Sequence, residues 1–426
     1  MPTDAELSAG RPRYLAHLDG LRALCCLWIV STHFANPRVH DNKLNGVLER
    51  GFVPVDFFIF LSGFTTHYAS AHKPLGTAAQ IARFHMQRIG RILPLHWACV
   101  LTQVILNHWI NPLNLVGSLL LLTSWHCYAP FASAENSVFA SHQCDFWPYN
   151  PLHWTLSTML LSWLLYPLTR RIVRCGDGST AARVVTAVAL LSVSLAPYWL
   201  MRAYLRSARA TATLPSNLWS LLYQWPPLRV TDFMAGMGVG QLARDDSVVT
   251  WRGWGPLVDA SALALLITLL AVPMNGRSGV VEGMLISGLN PIFAIILLGG
   301  CSALAVERSA LLRAATKPSL AAVGKVSFHM YLMQEILAKL VLFMQNFSYN
   351  ECTLYTLLEC TDFQLFHKGG EIQSEWWLIY LALLVGLANA WYEKVEEPWT
   401  GWLRNKLDGI LPMTEGAVGG KPGSLL

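Results

Sequence analysis

The chain has 426 residues, of which 53% are hydrophobic and only 13% charged, with a mean hydropathy of +0.38; ordinary soluble domains carry roughly 25% charged residues. Water is therefore not the solvent this chain is built for. The excess of 31 Lys and Arg over 26 Asp and Glu, formally +5, is small enough to be accounted for by basic cytoplasmic loops and calls for no nucleic-acid partner.

Residues 1–12 are polar, and Leu21 to Phe34 follows Arg11, Arg13 and Arg22 directly. That pattern is unlike a cleavable signal peptide, so the first apolar stretch is expected to remain as an anchor. Apolar stretches near the roughly 20 residues needed to span a bilayer fall at about 21–36, 52–70, 92–110, 152–169, 182–201, 228–243, 255–273, 285–306, 324–345 and 375–393. The expected fold class is an all-α integral membrane protein of about ten transmembrane helices in the lipid bilayer. A shorter apolar run at about 113–125 begins after Asn111-Pro112 and lacks basic flanks, which predicts a re-entrant or interfacial helix.

Alternating ten spans from a cytoplasmic N-terminus places about 21 of the 31 Lys and Arg inside, in the clusters Arg83/Arg88/Arg91, Arg170/Arg171/Arg174, Arg308/Arg313/Lys317 and Arg404/Lys406. The positive-inside rule thus favours both termini in the cytoplasm. Residues 1–17 and 406–426 are then cytoplasmic segments flanking a membrane domain over 18–405. Cys127, Cys144, Cys352, Cys360 and the sequon Asn346-Phe347-Ser348 fall on the outer side, which suits a plasma membrane or endomembrane with an oxidising face. Cys25, Cys26, Cys99, Cys175 and Cys301 fall where reduced thiols are expected.

Ionisable groups inside a membrane are costly and usually kept for function. Arg22 and His33 are 11 residues apart, which on a helix is roughly 16 Å of rise within about 20° of one face. Arg22 alone also reads as a snorkelling anchor and His33 as an interfacial residue, yet imidazole is the side chain best matched to acid–base work near neutral pH. Arg88 and Arg91 share a face. They form either a phosphate clamp, each guanidinium donating bidentate hydrogen bonds, or a solvated cluster drawn to anionic lipid. Asp56 either caps a helix opened by Pro54 or pairs with a buried cation such as Arg22, Arg88 or protonated His33; capping is the favoured role.

Five landmarks stand in order over about residues 18 to 400: Leu18-Asp19-Gly20-Leu21-Arg22-Ala23-Leu24 with His33; Asp56-Phe57-Phe58-Ile59-Phe60-Leu61-Ser62-Gly63-Phe64; Arg88-Ile89-Gly90-Arg91-Ile92-Leu93-Pro94-Leu95; Asn150-Pro151-Leu152-His153-Trp154-Thr155-Leu156-Ser157 with Tyr166-Pro167; and Val323-Gly324-Lys325-Val326-Ser327-Phe328-His329-Met330-Tyr331-Leu332, with Tyr392-Glu393-Lys394-Val395-Glu396-Glu397-Pro398 after it. The ordered set resembles the membrane acyltransferase 3 family, whose members acylate sugars, glycans and natural-product hydroxyls. The first landmark is similar to the family's D-G-L-R signature and Arg-x10-His motif, and the last to its G-x-I-S-Y-x-x-Y-L and Y-x-x-x-E-x-P endings. Two positions depart from the pattern: the family's W-x-L-x-x-E carboxylate falls at Met159 and its histidine after the Y-L pair at Gln334. Neither replacement can do acid–base chemistry.

The resemblance implies a membrane O-acyltransferase that moves an acyl group, by default acetyl, from acyl-CoA to a hydroxyl of a carbohydrate, glycolipid or secondary metabolite, without a metal. It implies His33, Arg22 and Asp19 as the catalytic group, with His33 tuned by Asp19 or Asp56. Arg88 and Arg91 would hold the CoA phosphates, and Asp56, Ser62, Trp154, Tyr331 and Glu396 would contact substrate. The buried Arg, His and Asp also leave open a proton-coupled transporter or flippase, and Met159 and Gln334 leave open a catalytically silent relative.

Overall fold

The computed structural model describes residues 14–34, 46–107, 112–126, 151–174, 176, 178–206, 222–272, 283–348 and 372–411, and among these there is no β-strand. In chain order the helices are α1 (Ala16–Phe34), α2 (Phe52–Ser70), α3 (Ala78–Asn107), the short α4 (Pro112–Leu119) and α5 (Thr123–His126), α6 (Trp154–Arg174), α7 (Thr180–Ser194), α8 (Ala196–Arg206), α9 (Pro226–Leu242), α10 (Trp254–Ala271), α11 (Asn290–Gly300), α12 (Pro318–Lys325), α13 (Ser327–Ser348), α14 (Ser374–Trp391) and, after a π-helical turn at Tyr392–Glu396, α15 (Glu397–Ile410). Short turns of helix lie over 246–249, 303–308 and 310–315.

Each of the ten apolar stretches overlaps at least one of these helices. By length and hydropathy, however, three described helices can cross a bilayer alone: Ala78–Leu106, Trp254–Ala271 and Ser374–Ile410. The number rises to five if α7 with α8, bent by 43°, and α12 with α13, bent by 65°, each count as one span. The remaining helices are shorter or more polar. Thus α11 follows turns at 284–289 and has 11 residues, about 16 Å. The run at 113–125 is broken at Leu121, which adopts φ 59°, and α4, at about 12 Å, is too short to cross. It is tucked inward instead: the Ser157 hydroxyl donates to the Leu121 carbonyl, and Ser124 Oγ donates to the Trp154 carbonyl at 2.9 Å.

Backbone-to-backbone contact sets the tightest crossings. Gly236 and Gly240, one turn apart on α9, face the main chain at Phe60 and Phe64 of α2, and Gly63 faces Phe233 in return. A methyl group at any of them would run into main chain, the small-xxx-small mode of membrane helices. Helix α1 is gripped in the same way, since Asp19 backs onto Gly324 of α12. Cys26 Sγ donates to the Ser327 carbonyl at 3.2 Å, and Phe34 shares an apolar cluster with Leu337 and Val341. Helices α1 and α13 therefore run in the same direction, in a register marked by that contact.

Arginines close several helix ends. Arg170 and Arg244 donate to the Ala71 and Tyr68 carbonyls at the C-terminus of α2, at 2.6 and 3.2 Å. Beyond the other end of α2, the buried Arg50 donates to Leu269 and, at 2.6 Å, to Val272 at the C-terminus of α10. Cations there satisfy orphan carbonyls and offset the helix dipole.

Candidate functional site

The first turn of α1 carries Asp19, whose Oδ1 is 3.2 Å from Arg22 Nη1 and whose Oδ2 accepts the Tyr14 hydroxyl at 2.5 Å. That hydrogen bond to a carboxylate, with burial second, pushes the Tyr14 phenol up to about 12. Arg22 lies close enough to Arg91 of α3 for their charges to repel. Arg91 is drawn the other way: its Nε donates to Glu396 Oε1 at 2.6 Å, while Glu396 Oε2 takes His329 Nε2 of α13. Glu396 is the last residue of the π-helical turn. Pro398 explains that turn, because a proline ring clashes with the carbonyl four residues back, here Lys394, and loosens the α-helical ladder. Lys325 Nζ sits 4.5 Å from the Tyr392 ring centroid, and Tyr392 packs edge-on against His329 at 5.8 Å.

Arg88 and Arg91 are on one helix face as expected, but they do not act as a matched pair. Arg91 is engaged by Glu396. The Arg88 guanidinium lies over the Phe84 ring at 5.1 Å and, among the described residues, has no acidic partner; Tyr166 and Arg91 are its neighbours. Lys73, in the turn after α2, is close by. Partial burial, then the charges of Arg88, Arg404 and Arg83, holds its ammonium below the ordinary lysine range. Arg83 is paired with Asp408. Lys73, Arg88 and Arg404 thus form a cluster of like charges at one end of the bundle.

Asp56 is not a helix cap. It lies inside α2, which starts at Phe52, and is 1% exposed. Its partner is Arg229 of α9, a cation absent from the sequence-based candidates, and its Oδ2 accepts the Ser287 N–H at 3.1 Å. Both of its oxygens are thus engaged by protein groups. Asp19, 14 residues from His33 on α1, is about 21 Å away along the axis.

His33 is half-buried near the C-terminus of α1, its ring 5.7 Å from that of Phe34. One turn earlier, Ile29 is buried in the same apolar cluster as Trp154, Tyr331 and Leu332. Trp154 packs on Tyr223 at 4.7 Å, and the Tyr331 hydroxyl donates to the Leu152 carbonyl at 2.6 Å. Ser62 is half-buried on α2 beside the Gly63 crossing. Met159 packs against the same cluster, and Gln334 Nε2 turns back to the Tyr331 carbonyl at 3.0 Å. Among the described residues no group of three or more His, Cys, Asp and Glu is placed to hold a metal, and Cys25, Cys26, Cys99 and Cys301 are free thiols. Cys127, Cys144, Cys175, Cys352 and Cys360 lie outside the described residues, and the Asn346 backbone belongs to the end of α13.

Sequence reasoning missed the partnership of His329 with Glu396, although both residues stood in quoted landmarks. It also missed Lys73 and the buried pair His96–His153, whose Nδ1 atoms are 2.8 Å apart and whose outer nitrogens face the Ser118 and Leu332 carbonyls at 2.8 and 3.3 Å. No local signal joins these residues.

The architecture is that of a helical membrane protein with a cationic cluster at one end and an imidazole toward the far end of its first helix. Residues 15–392 match the acyltransferase 3 model, described as an acyltransferase domain; the chain belongs to that family, and so to the membrane acyltransferases in general. No curated protein and no solved structure matches it.

Proposed function

We propose that the protein is an O-acyltransferase that takes an acyl group, acetyl by default, from acyl-CoA and passes it to a hydroxyl of a carbohydrate, glycolipid or secondary metabolite. The observation that carries this reading is Arg88, a half-buried guanidinium without an acidic partner among the described residues, clustered with Lys73 and Arg404. Phosphate oxygens relieve the mutual repulsion of such cations and accept their hydrogen bonds bidentately. In this reading the cationic end faces the cytoplasm, as the positive-inside bias requires. Arg22, braced by Asp19, adds to the positive field, and Arg91 serves through Glu396 rather than by gripping phosphate.

The acceptor hydroxyl then sits beside His33, against the Trp154 and Tyr331 side of α1. His33 takes the hydroxyl proton as the oxygen bonds to the acyl carbon, and CoA leaves with its sulfur. The test is release of CoA from labelled acetyl-CoA by purified protein. His33→Ala is expected to abolish transfer; a variant that transfers at the normal rate would rule out this role.

A second reading, a proton-coupled transporter, draws on Lys339. It is buried in α13, donates to Gln103 Oε1 at 2.8 Å and lies 3.6 Å from Glu335; buried charge pairs of this kind mark proton paths. It predicts proton-linked flux with no CoA release.

A further inference from the structure

Gln334 stands where the family pattern has a histidine, and the packing gives its amide a place of its own. Cys26 of α1 meets the Ser327 carbonyl of α13 at 3.2 Å, and the two helices run in the same direction. His33 is seven residues beyond Cys26, and Gln334 is seven beyond Ser327. Seven residues make a rise of roughly 10 Å and a rotation within about 20° of two full turns. Both residues therefore stand at one depth, on the faces along which the helices meet. A run of contacts carries the same register: the His33 ring is 5.7 Å from that of Phe34, the Phe34 ring 5.8 Å from that of Tyr380, and the Tyr380 hydroxyl donates to the Gln334 carbonyl at 3.0 Å.

Gln334 is fully buried. Its Nε2 is committed to the Tyr331 carbonyl, while its Oε1 accepts no hydrogen bond from any described residue. Glu335, the next residue, is 3% exposed, with the Lys339 ammonium at 3.6 Å and Gln103 of α3 as its neighbours. Neither oxygen of Glu335 has a hydrogen-bond partner among the described residues, and nor does Gln103 Nε2. Buried polar atoms left in this way are costly. Three of the four are acceptors, and Lys339 balances the charge of Glu335. Their complement is a neutral molecule rich in O–H donors, and a molecule that lacks those donors is rejected because it leaves the buried acceptors unmatched.

We propose that Gln334 binds a second hydroxyl of the acceptor, with Glu335 adding to the same acceptor-rich surroundings, so that the acceptor is a polyol of the carbohydrate kind rather than a lone alcohol. This rests on the acyltransferase reading above. The hydroxyl that reacts gives its proton to His33. Gln334 Oε1, at the same depth, accepts from a neighbouring hydroxyl of the same molecule and so turns the reacting oxygen toward the imidazole. Gln334 takes no proton in this role, so an amide serves where an ionisable group is not required. His33 is half-buried and α1 ends one residue later, which puts the approach to this depth at the end of that helix.

The test uses the full-length protein in an amine-oxide detergent, which carries no hydroxyl, with acetyl-CoA as donor and two acceptor probes that differ by one hydroxyl, 1-octanol and 1,2-octanediol. The unsubstituted protein is expected to favour the diol about tenfold in kcat/KM, with the gain in KM. Gln334→Met, close in size but without the acceptor atom, should bring the diol down to the level of octanol and leave octanol unchanged. His33→Gln should lose both probes by the same factor. The ratio of the two rates does not depend on how much of a variant folds. No preference for the diol in the unsubstituted protein, or a ratio that Gln334→Met leaves unchanged, would overturn the proposal. An absence of CoA release with either probe would instead sink the acyltransferase reading, and the role of Gln334 with it.

Discussion

Arg88 and Arg229 are both arginines on helices of one bundle, and the protein treats them in opposite ways. Arg229 is fully buried, bonded to Asp56, 2.9 Å from Asp232 Oδ2 and 3.0 Å from Ser287 Oγ, while Asn290 Nδ2 holds the other oxygen of Asp232 at 2.6 Å. That knot ties α2, α9 and the turns before α11 together and leaves its charge to the protein. Arg88, half-buried over Phe84, has cations for neighbours instead. The same side chain is structural where carboxylates surround it and, in the function proposed above, holds phosphate where they do not. Partnership, rather than residue type or helical position, separates the two.

The contrast breaks first at Arg229. Arg229→Ala leaves Asp56 and Asp232 facing each other without their cation, a change worth about 3–5 kcal/mol. The expected outcome is little folded protein recovered from membranes, and an unchanged melting temperature would show that the knot is not structural. On the same helix, Gly236→Ala forces a methyl group into the Phe60 main chain. A loss of about 1–3 kcal/mol is expected from such overpacking, read by thermal melting. Arg88→Ala should leave melting unchanged yet weaken CoA binding about ten- to a hundredfold, from hydrogen bonds to charged groups worth roughly 1.5–3 kcal/mol. Titration calorimetry with CoA measures it, and equal affinity in the two proteins would remove Arg88 from the donor site.

The smallest effect concerns a pair of a third kind. Asp245, in the turn after α9, takes hydrogen bonds from Ser247 and Thr180 and lies 2.9 Å from Arg183. The two hydroxyls, more than the guanidinium, hold its carboxyl at about 2. A folded-state value below the unfolded one stabilises the protein above the ordinary aspartate range and loses that stability as pH falls from about 4 toward 2. Asp245→Asn should therefore flatten the melting temperature over that window. A slope identical to that of the unsubstituted protein would show the pair to be inert.

Much of the helical layout was legible in the sequence. Hydropathy marked the long apolar helices but not the polar α15 (Glu397–Ile410), and the run at 113–125, too short and too poorly flanked to span, is broken at Leu121. The candidate site was legible in its residues and not in its contacts. Arg88 and Arg91 do share a face, yet Glu396 claims one and leaves the other. His33 does stand along α1 from Arg22, yet the aspartates expected to tune it are spoken for or distant. Asp56 was misassigned because Pro54 signals a helix start and no local feature announces Arg229.

By itself the sequence determined which segments are apolar, which helices form and where along them each charge stands, because hydropathy and helical periodicity are properties of neighbours in the chain. Only the tertiary structure decided which cation meets which carboxylate. Arg91 finds Glu396 across 305 positions and Arg229 finds Asp56 across 173. Those choices follow from how closely the helices pack, through contacts such as Gly63 on Phe233, and a buried charge takes the opposite charge that packing brings within reach.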